Sequence, residues 1–205
     1  MRRNTGVGGA DFLANVQSTS DLNAQVGTAR TAGDRLTLVT VLPRESLAGL
    51  MEVLAAYGPA IVGSMPLGLQ LVDSDVDIAC VAADLDEFEG TLAEAFQPFI
   101  IRTWRRPPAP PASVTSLRLS GMLIEVFAQP IPVLRQTAFR HMIVEGQLLR
   151  VFGEPLRAEV LRLKREEGLG TEPAFARALG LVETDPYEAL LRLEGLSDAE
   201  LRGLA

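Results

Sequence analysis

Between Ile61 and Ile78 the chain reads IVGSMPLGLQLVDSDVDI, and no other stretch restricts the fold as much. A short apolar run, Ala60-Ile61-Val62, ends in Gly63-Ser64. A second run alternates Asp75 and Asp77 with Val76 and Ile78. Side chains on a strand alternate faces, so both aspartates are expected on one side while Val76 and Ile78 enter the core. Two carboxylates sharing a face repel each other and lose hydration, and a divalent cation offsets both losses. The small Gly63-Ser64 turn leaves room for a phosphate near the backbone, with Ser64 as a hydroxyl donor. The stretch reads as a site for a metal and a polyphosphate.

The rest of the chain divides by periodicity. Residues 1–34 are rich in Gly, Ala, Thr, Ser, Asn and Gln without a clear period. They read as a mobile leader, with a short helix near Asp11–Val16. Arg35–Leu42 is β-branched and reads as a strand or as the first turns of a helix. Pro43 suits the first turn of a helix through Ala56, with Leu47, Leu50, Met51, Val53 and Leu54 as its apolar stripe. The two motif strands, Ala60–Val62 and Val76–Val81, follow. Asp84 is a good N-cap for a helix through Phe96, and Pro98 stops it. Phe99–Trp104 reads as a strand, and Arg105–Pro111 as an exposed proline-rich loop that cannot pair in a sheet. Val114–Leu119 and Met122–Phe127 read as a hairpin turning at Ser120-Gly121.

After Pro130 the period becomes helical: Val133–Val151, Leu156–Glu167, Glu172–Leu179, Pro186–Leu193 and Asp198–Leu204. Glycines separate these helices. Thr171, Asp185 and Ser197 supply starts, the last in a capping box with Glu200. The expected architecture is α/β (α+β): a leader over 1–34, a small mixed-sheet core over 35–130 and a helical subdomain over 131–205, with the site in the cleft between core and helices.

A third carboxylate is expected at Glu125. It stands in the apolar run Met122–Phe127, where an ionised group is costly unless paired or bound to metal. An edge-strand glutamate facing water is the competing reading. His141, the single histidine, lies beside Arg140 on a helix. It reads either as a contact to nucleotide phosphate or acceptor, or a general acid or base, or as a hydrogen-bonded helix residue that orients the hairpin. Arg140 reads as a phosphate ligand or as the partner of an acidic residue.

These residues resemble the motif of polymerase-beta-like nucleotidyltransferases: Val62-Gly63-Ser64, Gly68, then Ser74-Asp75-Val76-Asp77-Ile78. The resemblance narrows to an uncharacterised bacterial domain-of-unknown-function family within that superfamily, through Val62–Gly68, Ser74–Ile78, Ile124–Pro130 and Arg140–Met142. It implies a nucleotidyltransferase core and an activity that moves a nucleoside monophosphate from an NTP to a hydroxyl of an unknown acceptor. It also implies two Mg²⁺ ions, or Mn²⁺ in their place, on Asp75, Asp77 and Glu125. Gly63, Ser64, Gly68, Ser74, Arg140 and His141 would line the nucleotide. Relatives often carry a basic or aromatic residue in the Gly-Ser loop, whereas this chain has Met65-Pro66-Leu67. That departure favours the alternative of an inactive nucleotide-binding or antitoxin-like module.

Composition limits the rest. A net charge of −7 argues against broad nucleic-acid binding. Arg102, Arg105 and Arg106 around Trp104 read as a solvated rim or, alternatively, a single-strand contact. The single cysteine, Cys80, reads as a core thiol. Tyr187 reads as a core aromatic or a stacking residue. Arg2 and Arg3 lack an apolar segment behind them, and no stretch approaches the ~18 apolar residues of a membrane span, so a cytoplasmic protein is expected.

Overall fold

Five strands form one mixed sheet in the order β1-β2-β5-β4-β3. They are β1 Ala60–Val62, β2 Val76–Val81, β3 Ile100–Arg106, β4 Ala112–Leu119 and β5 Met122–Gln129. The computed structural model describes residues 46–107, 110–181 and 185–203. The expected leader, the helix at 11–16, the strand over 35–42 and the Pro43 helix start lie outside those residues. The described residues form two compact units, 46–61 with 75–133 and 62–74 with 134–203.

In the first unit, α1 (Leu47–Val53) is capped by Ser46, whose Oγ accepts from the Gly49 N–H at 3.1 Å. Leu50 within it and Leu54 at its C-cap are fully buried. The helix ends earlier than expected, in a 3-10 turn over Ala55–Tyr57 closed by Gly58. α2 (Leu85–Phe96) starts at Asp84, which accepts from the Asp86 and Glu87 N–H groups at 2.9 and 3.0 Å. Its stripe of Leu85, Phe88, Leu92 and Phe96 is buried. Tyr57 packs edge-on against Phe88 with centroids 4.9 Å apart.

The parallel pairing of β2 with β5 and the antiparallel pairings of β4 with β5 and β3 give the sheet two distinct faces. Val76, Ile78 and Cys80 line up with Ile124, Val126 and Ala128, then with Leu117, Thr115 and Ser113. Ser113 and Arg105 both donate to Glu89 of α2, which places α2 on this face. Cys80 is fully buried here, as expected, and burial pushes its thiol up to about 12. The hairpin turns at Ser120 (φ 48°) and Gly121 (φ 84°), both left-handed as a two-residue turn matched to strand twist requires. One expectation fails: Arg105 and Arg106 pair with Ser113 and Ala112, so β3 runs two residues past Trp104. The arginines keep the amide that the prolines after them lack.

In the second unit, α3 (Thr137–Glu167) breaks at Gly153 (φ 67°, ψ −151°), so the expected separation of two helices holds. Val133–Arg135 forms its own 3-10 turn rather than the helix start. α4 covers Thr171–Ala178, α5 Pro186–Leu191 and α6 Asp198–Arg202. Asp185 caps α5 and the Ser197–Glu200 capping box opens α6. Thr171, expected to start α4, does not cap it: Gly170 is the N-cap, and the Thr171 hydroxyl accepts from Lys164 Nζ at 2.9 Å. Tyr187 is not a core residue, with 46% of its surface exposed. Among the described residues no helix is long and apolar enough to cross a membrane.

Glu145 on α3 is buried, and its Oε1 has no hydrogen-bond partner among the described residues. Burial first, then the Glu172 carboxylate, hold its carboxyl well above the usual carboxylate range, against the opposing pull of Lys164. The folded chain therefore keeps a proton that the unfolded chain releases around the ordinary value of 4.5. Above that value the native state binds more protons, so its stability falls as pH rises. Glu145→Gln is expected to add ~1–3 kcal/mol at pH 8, with the gain shrinking towards pH 4.5. Thermal or urea unfolding at both pH values measures it; an equal effect at each would exclude the buried proton.

Candidate functional site

Asp77 and Glu125 are directly paired residues of β2 and β5. A parallel rung puts its two side chains on one face. That face is opposite to the Ile78–Val126 rung and hence opposite to α2. Asp75 lies just before β2. One carboxylate oxygen from each of Asp75, Asp77 and Glu125 falls within 4.8 Å of the others, and all three residues are half-buried. β5 lies between β2 and β4, so Glu125 sits inside the sheet and is not the edge-strand residue of the competing reading. Oxygen ligands of a hard divalent cation sit ~2.0–2.6 Å from it, so oxygens this close can share one ion or bridge two. The all-carboxylate donor set fits Mg²⁺ or Mn²⁺ and offers no soft ligand for zinc.

The glycine-serine loop belongs to the other unit. Gly63 (φ 72°) and Gly68 (φ 65°) are left-handed, a conformation in which any side chain is strained. Ser64 is buried at 8% exposure, and its carbonyl accepts from the Leu69 N–H at 3.0 Å. Ser74 acts locally. Its Oγ accepts from the Leu71 N–H at 2.8 Å and closes the end of the loop.

Two cations that sequence reasoning missed hold this loop from α3. Arg157 donates through Nη1 to the carbonyls of Leu67 at 2.8 Å and Gly68 at 3.2 Å. A Cβ added at Gly68 would stand 3.5 Å from that same Nη1. Lys164, buried at 7% exposure, donates to the Leu69 carbonyl at 3.0 Å. The available signal was a basic residue inside the apolar stripe of Leu156, Val160 and Leu163.

Arg140 and His141 find their partners among the helices. Arg140 binds Glu194 with contacts of 2.5–3.1 Å and holds that carboxyl below its usual range. His141 is buried at 3% exposure, with Nε2 2.9 Å from the Tyr187 carbonyl and Nδ1 3.6 Å from Glu172 Oε1. So the fold converges the three acids, orders the loop around Gly63, Ser64 and Gly68, ties Arg140 to the turn after α5 and ties His141 to α4 and α5.

Comparison with known proteins places the chain by family. The model of a family described as a domain of unknown function, DUF4269, matches residues 46–193, most of the chain. No curated protein matches it. Among solved structures, the MgGTP-bound Cid1 poly(U) polymerase is similar with a TM-score of 0.46 and 13% identity, covering 63% of this chain and 44% of that one. A cytoplasmic RNA terminal U-transferase gives 0.42 and 18%, covering 63% and 40%. The polymerase core of TRAMP, an RNA surveillance complex, gives 0.42 and 13%, covering 90% and 55%. The chain thus spans 40–55% of the length of these three proteins.

If the three carboxylates hold a divalent cation, Mg²⁺ or Mn²⁺ must stabilise the folded chain by mass action. The expected outcome is a rise in unfolding temperature with either ion that Asp75→Asn, Asp77→Asn and Glu125→Gln each largely remove. A rise of wild-type size in all three variants would place the ion elsewhere.

Proposed function

The chain belongs to the DUF4269 family, and we propose that it is a metal-dependent nucleotidyltransferase that moves a nucleoside monophosphate from an NTP to a hydroxyl of an acceptor. The observation that carries this reading is the convergence of Asp75, Asp77 and Glu125 within 4.8 Å on the sheet face away from α2. The glycine-serine motif, shared in its spacing with polymerase-beta-like nucleotidyltransferases, supports it.

Asp75, Asp77 and Glu125 would hold Mg²⁺, or Mn²⁺ in its place. When bound, such ions supply positive charge against the phosphates and lower the pKa of an attacking hydroxyl. In the proposed reaction the acceptor oxygen bonds to the α-phosphorus. The bond from that phosphorus to the bridging oxygen breaks, and pyrophosphate leaves with the electron pair. Glu125 is the carboxylate assigned to receive the hydroxyl proton. The backbone around Gly63, Ser64 and Gly68 is assigned to the β- and γ-phosphates, with the Ser64 hydroxyl as a donor. Ser74 supports that loop by closing it. Arg140 and His141 stand outside the reading, because their partners are Glu194, Glu172 and Tyr187.

A second reading, nucleotide binding without turnover, is favoured by the loop itself. Met65-Pro66-Leu67 offers no cation to a triphosphate, and Leu67 is buried at 4% exposure. Incubation with α-labelled NTPs, Mg²⁺ and a cell lysate separates the two. Label transfer with pyrophosphate release is expected from the native chain and is expected to be lost in Asp77→Asn together with Mg²⁺-dependent nucleotide binding. Binding without any transfer would establish the second reading, and wild-type binding by Asp77→Asn would remove both.

A further inference from the structure

Strand β3 carries its arginines on two unlike faces. Arg105 points to α2, where it donates to Glu89 at 2.5 Å and to Asp86 at 2.6 Å. Arg102, Trp104 and Arg106 alternate with it and point the other way. Register shows what they share that face with. Arg102 pairs with Ser116, Ser116 with Glu125 and Glu125 with Asp77. Trp104 pairs with Val114, which pairs with Phe127. The row on β3 therefore lies on the face that bears the three carboxylates.

Neither Arg102 nor Arg106 has a carboxylate within ion-pair distance among the described residues, although both are exposed. Each lies over a ring instead: Arg102 is 4.2 Å from the Trp104 centroid, and Arg106 is 5.5 Å from that of Phe127. A guanidinium stacked on a ring keeps its in-plane N–H donors free for phosphate, and its outer plane can stack a base. Four residues of strand separate the two arginines by ~13 Å, more than one phosphate group spans. Three inter-strand steps separate Arg102 from Asp77, ~14 Å. An occupant that touches β3 and reaches the carboxylates must be an extended chain that repeats anions and offers planar groups. An acidic peptide repeats anions but brings no planar base for the guanidinium faces.

We propose that the row Arg102–Trp104–Arg106 docks single-stranded nucleic acid, with phosphates on the two arginines and a base on the Arg102 plane, so that the strand's terminal hydroxyl is the acceptor at the carboxylates. The docking geometry is independent of chemistry at the carboxylates; the acceptor role rests on the nucleotidyl-transfer reading. The chain's net charge of −7 averages over surfaces that the strand does not touch. It keeps the binding weak, and neutralising two phosphates of a single strand gives a log–log salt slope of about −1.4.

Fluorescence anisotropy on the full chain in EDTA, with short labelled single-stranded RNA and DNA oligonucleotides, tests it. The native chain is expected to bind, and Arg102→Gln with Arg106→Gln is expected to weaken that binding at least tenfold at an unchanged unfolding temperature. Arg105→Gln, on the opposite face, is expected to bind as the native chain does. Trp104→Phe is expected to lose less than the double arginine variant. No binding by the native chain, native-like binding by the double variant, or equal competition by a poly-glutamate peptide would each overturn the proposal. Because the assay contains no metal, its failure leaves the transfer reaction standing, and loss of transfer alone leaves the docking row standing.

Discussion

The pairing of Asp77 with Glu125 is the constraint on which the proposed chemistry depends. Two carboxylates on adjacent strands, with Asp75 beside them, concentrate negative charge on one small area of the sheet. The fold sustains this because the next rung, Ile78 with Val126, is fully buried under α2. A shift of β5 by one residue would turn Glu125 into that core and carry Ile124 and Val126 to the acidic face. The apolar alternation of β5 thereby protects the register of its one acid.

Much of this is legible in the sequence because it is local. Asp75-Val76-Asp77-Ile78 declares its faces by a period of two, and Glu125 stands out as a charge within an apolar run. Capping at Asp84, Asp185 and Ser197 is equally short-ranged, and the structure shows each as expected. The pairing of β2 with β5 is not local: a crossover of one helix and two strands separates them, and in the sequence only the motif resemblance links Glu125 to the aspartates.

What is illegible has a common physical cause. Arg157 and Lys164 bind backbone carbonyls of residues 67–69, and a carbonyl acceptor leaves no trace in residue identity. Thr171 resembles a cap because its hydroxyl suits one, yet Lys164 claims that hydroxyl. The arginines at the end of β3 read as part of a proline loop, although their amides remain competent to pair. Their division into a neutralised face and an unneutralised one is visible only once the neighbouring helix is in place.

The attachment of residues 67–69 to α3 has a mechanical meaning. Arg157 and Lys164 stand two helical turns apart and grip successive peptide groups of one short segment. A segment pinned at two points along a rod cannot slide along it; its remaining freedom is to tilt about the line joining the pins. Any displacement of that bend beyond a tilt would have to travel with the C-terminal half of the helix, whose leading end is the glycine break at Gly153.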